Sequence, residues 1–177
     1  ADARMQTGWI KLYGSWYSLA PDGKMQYGWQ TVGGIWYYLS DADSGIRRSV
    51  WQNINGTWYY FGGVDDGGMR TGWEKIGGTW YYFGGADSGK MRTGWQKIDG
   101  SWYFFASSGA MKTGWQSING AWYYFGGADS GKMRSGWQRI GGKWYYFGDA
   151  DSGKMRTGLQ KVGGKQYRFN ASGVWIA

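Results

Sequence analysis

Apolar and polar residues alternate in short runs on both sides of a glycine-containing turn. In Trp73–Phe83 (WEKIGGTWYYF), the dipeptide Gly77-Gly78 separates two such runs. Asn-Gly, Asp-Gly and Gly-Gly are typical of two-residue hairpin turns, because these residues accept the positive φ angles of a type I′ turn. The pattern therefore predicts an antiparallel β-hairpin, and turns such as Asn55-Gly56 and Asp99-Gly100 repeat it along the chain.

The hairpin pattern recurs with a period of 20 or 22 residues. One tryptophan begins each repeat, and a second follows seven residues later. The pairs are Trp9 and Trp16, Trp29 and Trp36, Trp51 and Trp58, Trp73 and Trp80, Trp95 and Trp102, Trp115 and Trp122, and Trp137 and Trp144. Leu159 and Gln166 take these places in an eighth, degenerate repeat. Such a period is typical of a repeat architecture, so we expect residues 1–177 to form a single repeat domain of about eight hairpins.

The turn position fixes which side chains share a face of the hairpin. Because side chains alternate along a strand, Trp73, Trp80 and Tyr82 share one face, while Tyr81 and Phe83 lie on the other. We expect the second face to form the core. An isolated hairpin is marginally stable in water, so the hairpins must stack. We therefore predict an all-β fold, a β-solenoid of stacked β-hairpin repeats in which each repeat contacts mainly its neighbours.

Composition excludes several classes of function. The chain has no cysteine and no histidine, which removes disulfides, thiolate metal sites and the commonest general base. We therefore predict no catalytic residues, no metal site and no cofactor. No run of about 20 apolar residues is present, so no membrane span is expected. The net charge of +8 is interpreted as a solvated basic surface, and we expect no nucleic-acid partner because the basic residues form no single stripe.

The face that carries the tryptophans has two explanations. The rings would either only pack between neighbouring hairpins or line a ligand site. A concave box of rings holds a quaternary ammonium group by cation–π attraction, and flat aromatic faces also stack on sugar rings. Both ligand classes stay open at this point.

The segment Thr93–Trp115 (TGWQKIDGSWYFFASSGAMKTGW) resembles the choline-binding, or cell-wall-binding, repeat of Gram-positive bacterial and phage surface proteins. It is also similar to the glucan-binding repeats of glucansucrases and to repeats of large clostridial toxins. The Gly-Trp pair, the hairpin glycine, the Trp-Tyr-Tyr-Phe run and the Gly-x-Met-x-Thr-Gly segment carry the resemblance. It covers about the whole chain.

The resemblance implies a left-handed β-solenoid with ligands between consecutive hairpins. Each ligand would be boxed by two tryptophans of one hairpin and an aromatic residue of the next, often with a methionine. We expect that aromatic residue at the second tyrosine position. The predicted sets are Trp9, Trp16 and Tyr38; Trp29, Trp36 and Tyr60; Trp51, Trp58 and Tyr82; Trp73, Trp80 and Phe104; Trp95, Trp102 and Tyr124; and Trp115, Trp122 and Tyr146. The predicted methionines are Met25, Met69, Met91, Met111 and Met133, with gap filling as the alternative role.

We use the word gap for the space between the tryptophans of one hairpin and the next hairpin. Two gaps depart from this pattern. Trp137 and Trp144 would meet Arg168, whose charge should repel a cation, so at most six gaps are expected to bind. Arg47 stands where a methionine is expected, which weakens the prediction for Trp29 and Trp36. Met91 is expected near Trp73 and Trp80.

The longer loops carry aspartates and basic residues with alternative roles. Asp41, Asp43, Asp149 and Asp151 lack the glutamate and spacing of an EF-hand loop, so turn formation is favoured over calcium binding. Basic residues such as Lys90 are interpreted as solvated charges rather than phosphate ligands.

The sequence and the resemblance together favour a non-catalytic module that anchors a protein to choline or phosphocholine of teichoic or lipoteichoic acids. It would be a secreted fragment of a larger protein at a Gram-positive (or phage-derived) cell wall, fused to a domain such as a cell-wall hydrolase. The alternative is a carbohydrate-binding module for α-glucan or host glycans. A structural stalk and a homodimer formed through the terminal hairpin are further hypotheses.

Overall fold

A computed structural model of the chain describes residues 4–176. Within that range the regular structure consists of five-residue strands joined in pairs, with no helix. The strands are β1 Gly8–Leu12, β2 Ser15–Leu19, β3 Gly28–Val32, β4 Ile35–Leu39, β5 Val50–Ile54, β6 Thr57–Phe61, β7 Gly72–Ile76, β8 Thr79–Phe83, β9 Gly94–Ile98, β10 Ser101–Phe105, β11 Gly114–Ile118, β12 Ala121–Phe125, β13 Gly136–Ile140, β14 Lys143–Phe147, β15 Gly158–Val162 and β16 Lys165–Phe169. Each odd-numbered strand pairs only with the strand that follows it, in a two-stranded sheet. The predicted all-β repeat of hairpins is confirmed.

The hairpin turns have the predicted backbone conformation. In the third hairpin, Asn55 has φ 51° and Gly56 has φ 80°, as a type I′ turn requires at its two central residues. The register follows from the turn: Trp51 lies opposite Tyr60, and Asn53 lies opposite Trp58. The turn dipeptide therefore decides which side chains face each neighbouring hairpin.

From the second hairpin onward, a short loop after the hairpin bonds it to the preceding one. After β6, Met69 forms an antiparallel bridge with Phe61 of its own hairpin. The Met69 N–H also donates to the carbonyl oxygen of Trp36 in the preceding hairpin, at 2.7 Å. These backbone bonds hold one hairpin against the next without extending either sheet.

The contacts divide the chain into two compact units. The first comprises the residues up to Glu74 together with Tyr82–Met91, and the second comprises Lys75–Tyr81 together with the residues from Arg92 onward.

In the first unit, the two faces of a hairpin meet unlike faces of its neighbours. Tyr59 and Phe61 of the third hairpin are buried and pack against Trp29 and Tyr38 of the second hairpin. The core face of one hairpin therefore covers the tryptophan face of the one before it. Phe61 has no exposed surface, and burying such a side chain stabilises the fold by about 1.5–3 kcal/mol.

The second unit repeats this packing. Tyr123 and Phe125 are buried against Trp95 and Phe104 of the preceding hairpin. Phe105, Phe125, Phe147 and Phe169 are nearly or fully buried, at one position per hairpin. The sequence prediction assigned the core to one face only. The structure differs, because every tryptophan face packed in this way also forms part of the core.

The loop glycines provide a test of this packing. Gly89 has φ +55°, and a Cβ there would lie 2.2 Å from the Met69 sulfur. We expect Gly89→Ala to lower the melting temperature, because a left-handed alanine costs about 1–2 kcal/mol and the methionine must also shift. Gly85→Ala, four residues earlier in the same loop, is the matched control, since a Cβ there meets nothing within 4 Å. Equal melting temperatures for the two variants, measured by circular dichroism, would contradict this packing.

Candidate functional site

Trp29 and Trp36 of the second hairpin line an open cavity in the first unit. Their ring centroids are 6.3 Å apart and their planes nearly perpendicular, at 81°. Tyr59 of the next hairpin adds a third ring, 4.9 Å from that of Trp29. The cavity has a volume of about 420 Å³ and is lined by Trp29, Trp36, Tyr59, Met69, Asp87, Ser88 and Lys90. Three successive repeats therefore contribute to one gap.

The second unit contains an equivalent gap between the fifth and sixth hairpins. Trp95 and Trp102 lie 6.2 Å apart at 87°, and Tyr123 lies 4.9 Å from Trp95. The cavity of about 480 Å³ is lined by Trp95, Trp102, Tyr123, Met133, Asp151, Ser152 and Lys154. The arrangement is thus a property of the repeat.

The third ring of each of these gaps is the first tyrosine of the next hairpin and not the second. Tyr60 lies against Trp51 of its own hairpin instead, with ring centroids 5.0 Å apart. The other predicted third walls with a described ring contact also lie against the first tryptophan of their own hairpin. These are Tyr38 on Trp29, Tyr82 on Trp73, Phe104 on Trp95, Tyr124 on Trp115 and Tyr146 on Trp137.

The reason for this difference is the way the hairpins stack. The second tyrosine shares a face with the tryptophans of its own hairpin. When hairpins stack in one sense, that face meets the opposite face of the next hairpin, which carries the first tyrosine. The face assignment from the sequence was right, but its extension to the neighbouring hairpin was wrong.

The methionines are displaced by one repeat from their predicted partners. From Met69 onward, each methionine N–H donates to the carbonyl oxygen of the second tryptophan of the hairpin before its own, so Met91 bonds to Trp58 and not to Trp80. The other pairs are Met69 with Trp36, Met111 with Trp80, Met133 with Trp102 and Met155 with Trp122. Met25 follows the first hairpin and packs against Gly45. Arg47 bonds in the same way to Trp16, so it belongs to the gap of Trp9 and Trp16, whereas Met69 lines the gap of Trp29 and Trp36.

The seventh hairpin has a gap that the sequence prediction rejected. Trp137 and Trp144 lie 6.3 Å apart, and Tyr167, not Arg168, is the residue that faces them, 4.9 Å from Trp137. Trp175 takes the methionine position, because its N–H donates to the Trp144 carbonyl at 2.9 Å. The cavity of about 340 Å³ is lined by these four rings. A sequence signal existed: Trp175 follows Phe169 by six residues, as Met111 follows Phe105.

Two further predicted sets, those that begin with Trp73 and with Trp51, stay predictions. Trp73 belongs to the first unit and Trp80 to the second, so their set with Phe104 stays a prediction. Trp51 and Trp58 lie 6.3 Å apart in the first unit, and Trp51 packs on Phe83.

The gaps differ in the charge at their edge. Beside Trp102, the Asp151 carboxylate accepts hydrogen bonds from Trp102 Nε1 at 3.0 Å and from Lys97 Nζ at 2.7 Å. These bonds, that from Lys97 foremost, hold the pKa of Asp151 below its usual value. The gap of Trp115 and Trp122 has Ala171 and Ser172 in the corresponding loop, and neither side chain is charged.

The loop aspartates otherwise act as turn formers. Asp149 accepts the backbone N–H of Ser152 at 2.8 Å, and Asp41 accepts that of Ser44 at 3.1 Å. Over residues 4–176 there is no cluster of three or more acidic, cysteine or histidine residues that suits a metal ion. In the same range no helix has the length and apolar character needed to cross a membrane.

Two family models match the chain in successive segments. The model described as a choline-binding repeat matches residues 48–93, 92–135 and 112–157. The model described as a putative cell wall binding repeat matches residues 7–25, 28–43 and 157–174. No curated protein matches significantly.

Solved structures from Streptococcus pneumoniae are similar over nearly the whole chain. CbpJ is 36% identical with a TM-score of 0.87, and the match covers 97% of this chain and 58% of CbpJ. Choline binding protein F, solved in the presence of a peptidoglycan analogue, is 38% identical with a TM-score of 0.86, over 97% of this chain and 58% of that protein. The modular autolysin LytC, in complex with a synthetic peptidoglycan ligand, is 26% identical with a TM-score of 0.59, over 97% and 42%. The chain thus spans under two thirds of the length of these proteins.

The position of the third ring is testable with a small cation. We expect Tyr123→Leu to weaken binding of tetramethylammonium to the gap of Trp95 and Trp102, because leucine is apolar but has no ring face. Losing one cation–π contact of about 0.5–2 kcal/mol lowers affinity by about 2- to 30-fold. Tyr123→Phe is the control, since it keeps the ring and should keep the affinity. The indole N–H signals of Trp95 and Trp102, followed by NMR during titration, report on this gap alone, and unchanged affinity in Tyr123→Leu would refute the assignment.

Proposed function

The chain belongs to the choline-binding repeat family, and we propose that it binds choline groups of a bacterial cell wall in the aromatic gaps between successive hairpins. The observation that carries this proposal is the gap itself. Two perpendicular tryptophans and the first tyrosine of the next hairpin surround a cavity open to solvent, as at Trp29, Trp36 and Tyr59. The repetition of this arrangement gives the chain several equivalent sites.

The chemistry of the gap suits a trimethylammonium group. Such a group has no N–H to donate, so it gains nothing from hydrogen-bond acceptors and is held by the negative faces of aromatic rings. At the edge of one gap, the Asp151 carboxylate pairs with Lys97 at 2.7 Å and offsets its positive charge, which lowers the repulsion of a bound cation. A neutral sugar instead requires donors and acceptors around its hydroxyl groups. The gap of Trp137, Trp144, Tyr167 and Trp175 is lined by rings, which favours the cation over the glycan.

Several weak sites on one chain would give firm attachment to a polymer. Once one choline of a teichoic acid is bound, neighbouring cholines meet the other gaps at a high effective concentration, so the overall affinity exceeds that of any single gap. We therefore infer an anchoring module at a Gram-positive cell surface. The activity of the larger protein would come from a fused domain.

Choline titration tests the proposal gap by gap. We expect choline at millimolar concentration to shift the indole signals of Trp95 and Trp102, of Trp115 and Trp122, and of Trp137 and Trp144. The same titration should raise the melting temperature, because the ligand binds only the folded chain. Trp102→Leu should remove the response of its own gap and leave that of Trp137 and Trp144 intact, since repeats couple mainly to neighbours. Shifts with isomalto-oligosaccharide and none with choline would replace this proposal by the glycan-binding one.

The Asp151 carboxylate should make the choline affinity of its gap depend on salt, unlike that of gaps without a charged edge residue. We expect Asp151→Asn to weaken choline binding at Trp95 and Trp102 by about two- to fivefold at low salt, an effect that screening reduces at high salt. Asp99→Asn is the matched control, because it also removes one negative charge, from the turn of the hairpin that carries Trp95 and Trp102. Asparagine tolerates the φ of 47° observed there. Equal affinities for the two variants would remove Asp151 from the site.

A further inference from the structure

Arg47 lies in the gap of Trp9 and Trp16, where the other loops place a methionine. Its guanidinium carbon is 5.5 Å from the ring centroid of Trp9 and 5.4 Å from that of Trp16. Tyr37 of the next hairpin supplies the third ring, 4.9 Å from Trp9. A positive charge therefore already faces the three rings that form a cation site in the other gaps.

The side chain follows the same path as the methionines. The Arg47 N–H donates to the Trp16 carbonyl at 2.9 Å, as Met69 does to Trp36. A Cβ on Gly67 would lie 2.3 Å from Arg47 Nε, just as one on Gly89 would lie 2.2 Å from the Met69 sulfur. Arg47 thus lies where the other loops place a methionine, and its guanidinium extends beyond the place of the methionine sulfur.

The end of the Arg47 side chain is fixed on the opposite side of the gap. Nη1 donates to the carbonyl oxygen of Asp66 at 3.1 Å, and Nη2 donates to that of Val64. Asp65 and Asp66 are also close enough to interact electrostatically with the guanidinium. Asp65 further pairs with Lys11 at 3.6 Å, as Asp151 does with Lys97 at the edge of the gap of Trp95 and Trp102.

We propose that Arg47 is a built-in occupant of the first aromatic gap, and that it keeps choline out of that gap while joining three repeats without a ligand. The inference rests on the proposed function, because exclusion has meaning only where other gaps bind choline. A tethered group held by two hydrogen bonds competes at an effective concentration far above that of a free ligand. The first gap therefore stabilises the folded chain, and the other gaps bind choline.

The first experiment needs no ligand. Protons above aromatic ring faces are shielded, so the Arg47 Nε–H and Cδ protons of the free protein should give NMR signals shifted upfield from those of a solvated arginine. Arg48, the exposed neighbour, provides the reference within the same spectrum. Ordinary arginine shifts for Arg47 would overturn the proposal whether or not choline binds anywhere.

The second experiment compares choline titrations of the native chain and Arg47→Met, the residue that other repeats carry. In the native chain, the indole signals of Trp9 and Trp16 should respond only at choline concentrations about tenfold or more above those that shift Trp95 and Trp102, the difference expected from about 1.4 kcal/mol of competition. In Arg47→Met, all four signals should respond over one concentration range. Arg48→Met is the matched control, and its Trp9 and Trp16 signals should respond at the same high choline concentrations as those of the native chain.

The outcomes separate the two proposals. A response of Trp9 and Trp16 in the native chain equal to that of Trp95 and Trp102 would show that Arg47 excludes nothing. An unresponsive first gap in folded Arg47→Met, beside responsive gaps elsewhere, would show that something other than Arg47 closes it. If no gap responds to choline, the proposed function fails and the exclusion of choline fails with it. The NMR chemical shifts of Arg47 still decide whether its guanidinium lies against the rings of the first gap.

Discussion

A two-stranded hairpin of five-residue strands has no interior of its own, and the rest of this structure depends on that constraint. Both faces of a hairpin must be covered by other hairpins. Loop bonds such as that from Met69 to Trp36 hold neighbouring hairpins together, and within each unit a tryptophan face meets a core face. Phe61 and its equivalents fill the tight part of this contact. The two perpendicular tryptophans leave the open part, which becomes the gap.

The same rings therefore serve the fold and the site. Trp29 packs on Tyr59 and Phe61 and also lines the cavity. Flat rings set at right angles cannot fill the space between two hairpins as aliphatic side chains would. One part of the Trp29 ring is packed between hairpins, and another part faces the cavity. This explains why tryptophan and tyrosine are so abundant in a chain with few leucines.

The hairpins and their register were predictable from the sequence because the determinants are local. A turn such as Asn55-Gly56 fixes the pairing of the strands on both sides of it. The partner of each gap was not predictable in this way, because it depends on which face of the next hairpin is turned toward the tryptophans. That orientation is set by the loop between hairpins, through bonds such as Arg47 to Trp16. Trp175 was overlooked for a related reason: its role depends on its position after Phe169 and not on its being a methionine.

The composition of a gap from successive repeats, three of them at Trp95 and Trp102, has an evolutionary consequence. The gap of Trp95 and Trp102 takes its tyrosine and methionine from the next repeat and its edge residues from the loop after that. When a repeat is duplicated or lost, the gaps on either side receive equivalent residues from the new neighbour. Arrays of this kind can therefore change length without an intermediate that lacks gaps, and a single substitution such as arginine for methionine alters one gap at a time.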